Sequence, residues 1–90
     1  MDAHPGEFVY ASAGRDEGKC FIVISKEDNY LYLCDGKSRK VSNPKKKKLK
    51  HIRPTGDKDE FIVNKLKTVG KLTNKEVRYS LTNYLGVLSD

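Results

Sequence analysis

The sequence predicts a mainly β domain with a helical C-terminal part: a small, strongly bent five-stranded antiparallel barrel over residues 6–55, then a two-helix hairpin over residues 56–90. Three observations predict it. Short apolar segments, alternating or continuous, are separated by glycine- and Asx-containing turns through the first half of the chain. After residue 57 the apolar period lengthens from two to about 3.6. The length of 90 residues, 37% of them hydrophobic, suits one domain with a modest core that buries roughly 60% of its unfolded surface.

The strands follow in order. Glu7 to Ala11 carries Phe8, Val9 and Tyr10; residues 19–24 carry Cys-Phe-Ile-Val-Ile; Tyr30 to Cys34 alternates Tyr-Leu-Tyr-Leu. Residues 12–18 supply Gly14 and Gly18 for a loop with Arg15, Asp16 and Glu17 at its tip, and residues 26–29 form a polar hairpin connection. Asp35-Gly36 fits a two-residue hairpin turn, so a short fourth strand is expected over residues 38–41. The lysine run then reads as a connection, and residues 49–52 as the last strand. Five short strands with tight turns suggest a barrel of the SH3-like kind, closed off by Pro54-Thr55-Gly56-Asp57.

In the second part, residues 58–68 form a helix whose Ile62, Leu66 and Val69 share a face, stopped by Gly70. Thr73 is the N-cap of the next helix, Glu76 its capping-box partner, and Leu72 with Val77 the hydrophobic staple. Val77, Leu81, Tyr84, Leu85 and Leu88 make one stripe, which either packs on the barrel or meets a partner. Residues 1–5 are expected to be disordered.

Charge is concentrated in one place. The 18 Lys+Arg and 12 Asp+Glu give +6, yet residues 37–53 alone hold +9 with no acidic residue, leaving −3 for the remainder. A stripe of one sign attracts a polyanion, so nucleic acid is the leading partner class; the competing reading of four consecutive lysines is a solvated loop. Catalysis has little to work with. His4 and His51 are the two histidines, the carboxylate pairs Asp16-Glu17, Glu27-Asp28 and Asp59-Glu60 are merely adjacent, and the Gly14 to Lys19 segment fails the spacing of a phosphate loop. No enzyme activity and no cofactor or metal is expected. Cys20 and Cys34 lack zinc spacing; they read as small buried hydrophobes, with a cross-strand disulfide as the other possibility. No run nears the roughly 18 apolar residues of a membrane span, and the first residues lack the basic and apolar parts of a secretory signal, so a cytoplasmic protein is expected.

Residues 6–24, from Gly6-Glu-Phe-Val-Tyr through Gly14-Arg-Asp-Glu-Gly-Lys to Cys20-Phe-Ile-Val-Ile, resemble a KOW motif: a strand opened by glycine, a loop with a basic residue and a glycine, then an apolar strand. The continuation through Tyr30-Leu-Tyr-Leu-Cys and Asn43-Pro-Lys-Lys-Lys-Lys-Leu-Lys-His51 is similar to small bacterial KOW-domain RNA-binding proteins, themselves related to KOW-type large-subunit ribosomal proteins of archaea and eukaryotes. The resemblance spans about residues 5–55 and leaves out the helical part. It implies an SH3-like barrel, RNA binding near the ribosome in translation, and RNA contacts in the loop of Arg15 and Lys19. KOW domains of transcription elongation factors also bind proteins, so a protein-interaction module acting through the barrel edge or the helical stripe is the alternative.

The residues point the same way. Lys37, Arg39, Lys40, Lys45, Lys46, Lys47, Lys48, Lys50 and Arg53 can reach phosphates, the two arginines bidentately. Tyr30 and Tyr32 share one strand face and offer a stacking platform for unpaired bases, unless they only cover the barrel or lie under the helices. Double-stranded DNA is disfavoured because the second helix has Lys75 and Arg78 as its cations and no basic recognition face. The expected assembly is a monomer on ribosomal or other structured RNA, with ribosomal proteins as possible neighbours and no membrane.

Overall fold

The computed structural model describes residues 2–89, with side chains described for residues 2–86. It is a mixed α/β domain: β1 (Glu7–Ala11), β2 (Cys20–Glu27), β3 (Tyr30–Cys34), β4 (Lys45–Lys48), a 3-10 turn (Leu49–His51), β5 (Ile52–Lys58), α1 (Glu60–Thr68) and α2 (Asn74–Ser89). The strands form one antiparallel sheet in the order β4-β3-β2-β1-β5. Among the described residues β4 and β5 do not pair with each other, so the sheet is not closed as a barrel. No helix among the described residues is long and apolar enough to cross a membrane.

Alternation along the strands builds two cores. Val9, Ala11, Phe21, Val23, Leu31 and Leu33 point to the inner face, joined there by Ala3 and Ile52. Phe8, Ile22 and Cys34 point to the outer face, where Ile62, Leu72, Val77 and Leu81 cover them. Both sides of β2 are therefore buried, which is why its first five residues are a continuous apolar run. Past Val23 the pairing with β3 shifts register, and β2 continues into the exposed Ser25, Lys26 and Glu27.

The second half of the sheet differs from the sequence expectation. No strand forms over residues 38–41, because the Asp35 carboxylate closes its own loop: it accepts from the Lys37 and Arg39 amides (2.9 and 2.8 Å) and from the Ser38 hydroxyl (3.1 Å). The Asp35 and Gly36 amides both turn to the Arg39 carbonyl, so Asp35-Gly36 is not a hairpin turn. The fourth strand is the lysine run itself. β3 has an open edge whose backbone groups need partners, and residues 45–48 are the first extended stretch that can return to it. Residues 49–51 form the 3-10 turn, and β5 begins at Ile52 and runs to Lys58 through Pro54, which an edge strand tolerates.

Of the residues 1–5 expected to be disordered, residue 1 lies outside the described residues and Asp2 and Ala3 make contacts with the fold. Ala3 is fully buried in the inner core, Asp2 pairs with Lys26, and the Gly6 amide donates to the Val23 carbonyl at 2.8 Å. Gly6 has a φ of 94°, and a β-carbon there would stand 2.3 Å from a Val63 methyl.

The helices cap as their sequence requires. Asp59 accepts from the Phe61 and Ile62 amides, starting α1 at Glu60. Thr73 and Glu76 cap each other reciprocally, amide to hydroxyl at 3.1 Å and amide to carboxylate at 2.9 Å. Ile62 is buried and Leu66 partly so, but Val69, the α1 C-cap, is 62% exposed and leaves the expected face. Val77, Leu81 and Tyr84 pack onto the sheet; Leu85 is 38% exposed, and the side chain of Leu88 lies outside the described residues. Tyr84 stacks on Phe8 (3.9 Å between ring centroids) and donates to Asp57 at 2.6 Å, while Ser80 donates to Asp59. Cys20 and Cys34 are both free; Cys34 stands opposite Ile22, two residues along from Cys20, so the two are diagonal neighbours rather than a directly opposed pair. Burial pushes their thiols up to about 11 and about 12.

Two glycines separate backbone strain from steric room. Gly18 (φ 86°) has nothing within 4 Å of its would-be β-carbon. Gly18→Ala is expected to cost about 1 kcal/mol for the left-handed backbone alone, and Gly6→Ala about 2–3 kcal/mol because Val63 must also move. Urea denaturation checks this; equal losses at the two sites would contradict the packing of α1 on Gly6.

Candidate nucleic-acid interface

The lysine run divides by strand parity. Directly opposite residues of an antiparallel pair share a face, so Lys45 and Lys47, opposite Leu33 and Leu31, point inward, whereas Lys46 and Lys48, opposite Tyr32 and Tyr30, point outward. Lys47 is buried. Its stem lies along the open edge of the inner core, and its ammonium donates to the Ala13 carbonyl at 2.6 Å, tying β4 to the loop of residues 12–18. Expected on the RNA surface, Lys47 is instead held inside the fold, because the period of a strand sends alternate residues to opposite faces.

A second set of cations is held by Asp16. This carboxylate is almost fully buried and accepts from the Arg39 guanidinium at 2.8 Å, with the Lys19 ammonium 3.5 Å away. Burial raises its proton affinity, but the Arg39 hydrogen bond and charge, with Lys19, outweigh that and hold the carboxyl below its ordinary range. Arg39, which reads from sequence as a bidentate phosphate ligand, is held by Asp16 through one guanidinium nitrogen, Nη2, while its Nε is buried without a hydrogen-bond partner among the described residues. Lys19 stays more than half exposed, and its longer pair contributes little. Arg15 is exposed at the loop tip and makes no side-chain bond among the described residues.

What remains free gathers on the outer face of β3 and β4. The helices cover this face over Phe8, Ile22 and Cys34 with the adjoining Cys20 and Ile24, and leave Tyr30 and Tyr32 half-buried beside Lys46 and Lys48. The Lys46 ammonium lies 4.5 Å from the Tyr30 ring centroid and 5.9 Å from that of Tyr32, so the tyrosines do not lie under the helices. Glu27 touches this patch at the Tyr32 hydroxyl, 3.5 Å away. Beyond Tyr30 the surface opens into a groove lined by Asn29, Tyr30, Lys48, Leu49 and Lys50. Lys48 and Lys50 are exposed and bond to no carboxylate among the described residues.

The other expected residues lie elsewhere. Arg53 is exposed on β5 with its guanidinium 5.9 Å from the Tyr10 ring, Lys40 is exposed on the β3–β4 loop, and Lys45 is half-buried. Lys37 stands beside Arg78 of α2 in a groove that also takes in Tyr10 and Lys19. Arg78 donates to the Gly36 carbonyl at 2.8 Å, a contact the sequence does not signal because it joins residues 42 apart. Asn29 and Leu49 were likewise not expected at the site. The polar turn that places Asn29 was legible, but its contact with the 3-10 turn was not. No family model matches the chain, and no curated protein matches it.

Two measurements separate the structural cations from the free ones. Lys47→Ala is expected to lower stability by about 1–3 kcal/mol, while Lys48→Ala stays within about 0.5 kcal/mol of wild type in urea denaturation. A carboxylate whose folded value is held low stabilises the fold above its unfolded value of about 3.9 and ceases to as pH falls through the folded value. The stability advantage of wild type over Asp16→Asn is therefore expected to hold above about pH 5 and to disappear on acidification through about pH 4 and below. An advantage that stays constant into strong acid would contradict the Asp16–Arg39 ion pair.

Proposed function

We propose that the chain is an RNA-binding module, an SH3-like barrel of the KOW kind with a helical hairpin on its outer face, acting on ribosomal or other structured RNA. One observation carries the reading: on the outer face of the edge strand, Lys46 and Lys48 stand beside Tyr30 and Tyr32, Lys50 follows on the 3-10 turn, and none of the three ammoniums is paired with a carboxylate among the described residues. Cations interleaved with aromatic rings are what a polyanion with flat bases requires. The strand order supports the barrel reading, since β5-β1-β2-β3-β4 with a short 3-10 turn between the two edge strands is the connectivity of a strongly bent sheet curling toward closure. The helical stripe supports RNA over a protein partner, because its central residues Val77 and Leu81 are buried against the sheet.

If Lys46, Lys48 and Lys50 each neutralise one phosphate at about −0.7 per contact, affinity for single-stranded RNA falls about 20-fold between about 50 and 200 mM salt. Replacing all three by Gln is expected to reduce the salt slope by about two and to release the protein from ribosomes in co-sedimentation. Binding that is flat with salt, or co-sedimentation untouched by the triple variant, overturns the reading and favours a protein partner.

A further inference from the structure

The groove beyond Tyr30 has the features of a site for a single base. It measures about 560 Å³ and is lined by Asn29, Tyr30, Lys48, Leu49 and Lys50, with no carboxylate among these residues. That volume falls within the range of small-ligand sites, about 300–1,000 Å³. Resting on the RNA-binding reading above, we infer that this groove takes the base of one unpaired nucleotide of the bound RNA, between phosphates held by Lys48 and Lys50.

The chemistry divides into floor, rim and wall. Leu49 is half-buried against the inner core, and Tyr30 is half-buried next to it, so floor and side are apolar and aromatic at a place open to solvent. A flat base covers such a surface by stacking, and a base inside a duplex cannot, because its faces are already occupied. The rim is cationic on both sides of Leu49 in the chain, Lys48 before it and Lys50 after it. The wall is polar: the Asn29 amide makes no side-chain hydrogen bond among the described residues, leaving its donor and acceptor for the edge of a base. The groove is also held in shape before any ligand arrives. The Leu49 amide donates to the Asn29 carbonyl at 2.7 Å, fastening the β2–β3 turn to the 3-10 turn, and Tyr30 is paired with Lys48 in the sheet. Little ordering is then needed on binding.

The test uses the full chain, a single-stranded RNA of about twelve nucleotides carrying one 2-aminopurine, and a blunt duplex of the same sequence. The single strand is expected to bind with quenching of the 2-aminopurine as it stacks. Tyr30→Leu should weaken the single strand about tenfold and leave the duplex unchanged, with Tyr30→Phe retaining affinity. Asn29→Ala, in an exposed turn, is the second variant and should reduce quenching should Tyr30→Leu fail to fold. If wild type binds RNA with the expected salt dependence while both variants treat single strand and duplex alike, the groove inference is overturned and the RNA reading stands. If wild type binds neither RNA, the RNA reading itself falls.

Discussion

The structure depends on burying both faces of the β1-β2-β3 sheet. Ninety residues cannot fill a large interior, and each side chain of the Leu, Ile, Val or Phe kind contributes about 1.5–3 kcal/mol only when water is removed from it. The inner face is filled by the sheet's own side chains with Ala3 and Leu49 against them, and the outer face by α1 and α2. The helices therefore complete the core of the sheet rather than forming a separate unit. Phe8 on Tyr84, and the Tyr84 and Ser80 hydroxyls on Asp57 and Asp59, fix α2 to β1, to the end of β5 and to the N-cap of α1.

That constraint also positions the surface patch. The helices reach across the outer face as far as Ile22 and Cys34, and the same face continues uncovered over Tyr30, Tyr32, Lys46 and Lys48. β4 is an edge strand, and a row of lysines there serves a second end. Long cationic side chains on an exposed edge deter another chain from pairing with it, while leaving the edge open to a polyanion. Inward, the same strand closes the core with the stem of Lys47 and anchors the neighbouring loop through Ala13.

The +9 of residues 37–53 overstates the charge available to a ligand. Asp16, which lies outside the segment, withdraws Arg39 from it, and the Ala13 carbonyl withdraws Lys47. Two departures from the sequence expectation have different origins, one local and one tertiary. Asp35-Gly36 carries a hairpin signature, but the Asp35 side chain competes with the backbone for the same amides and wins. Four lysines carry no strand signal, yet the vacant edge of β3 imposes one, a tertiary demand that outweighs propensity.

By itself the sequence determined the features written in local spacing. These are β1 and β3 to the residue, the apolar run of β2, the loop of residues 12–18, the Thr73–Glu76 cap, and the location of the basic segment. Each depends on side chains within a few residues of one another. Tertiary structure decided which lysines face out, which carboxylate takes Arg39, that residues 45–48 are a strand, that Ala3 is core, and that Asn29 meets Leu49. Those outcomes join residues far apart in the chain, 34 positions in the Lys47 to Ala13 bond. They are settled by which backbone edges and apolar faces are left unsatisfied once the sheet has formed, a quantity no window of sequence contains.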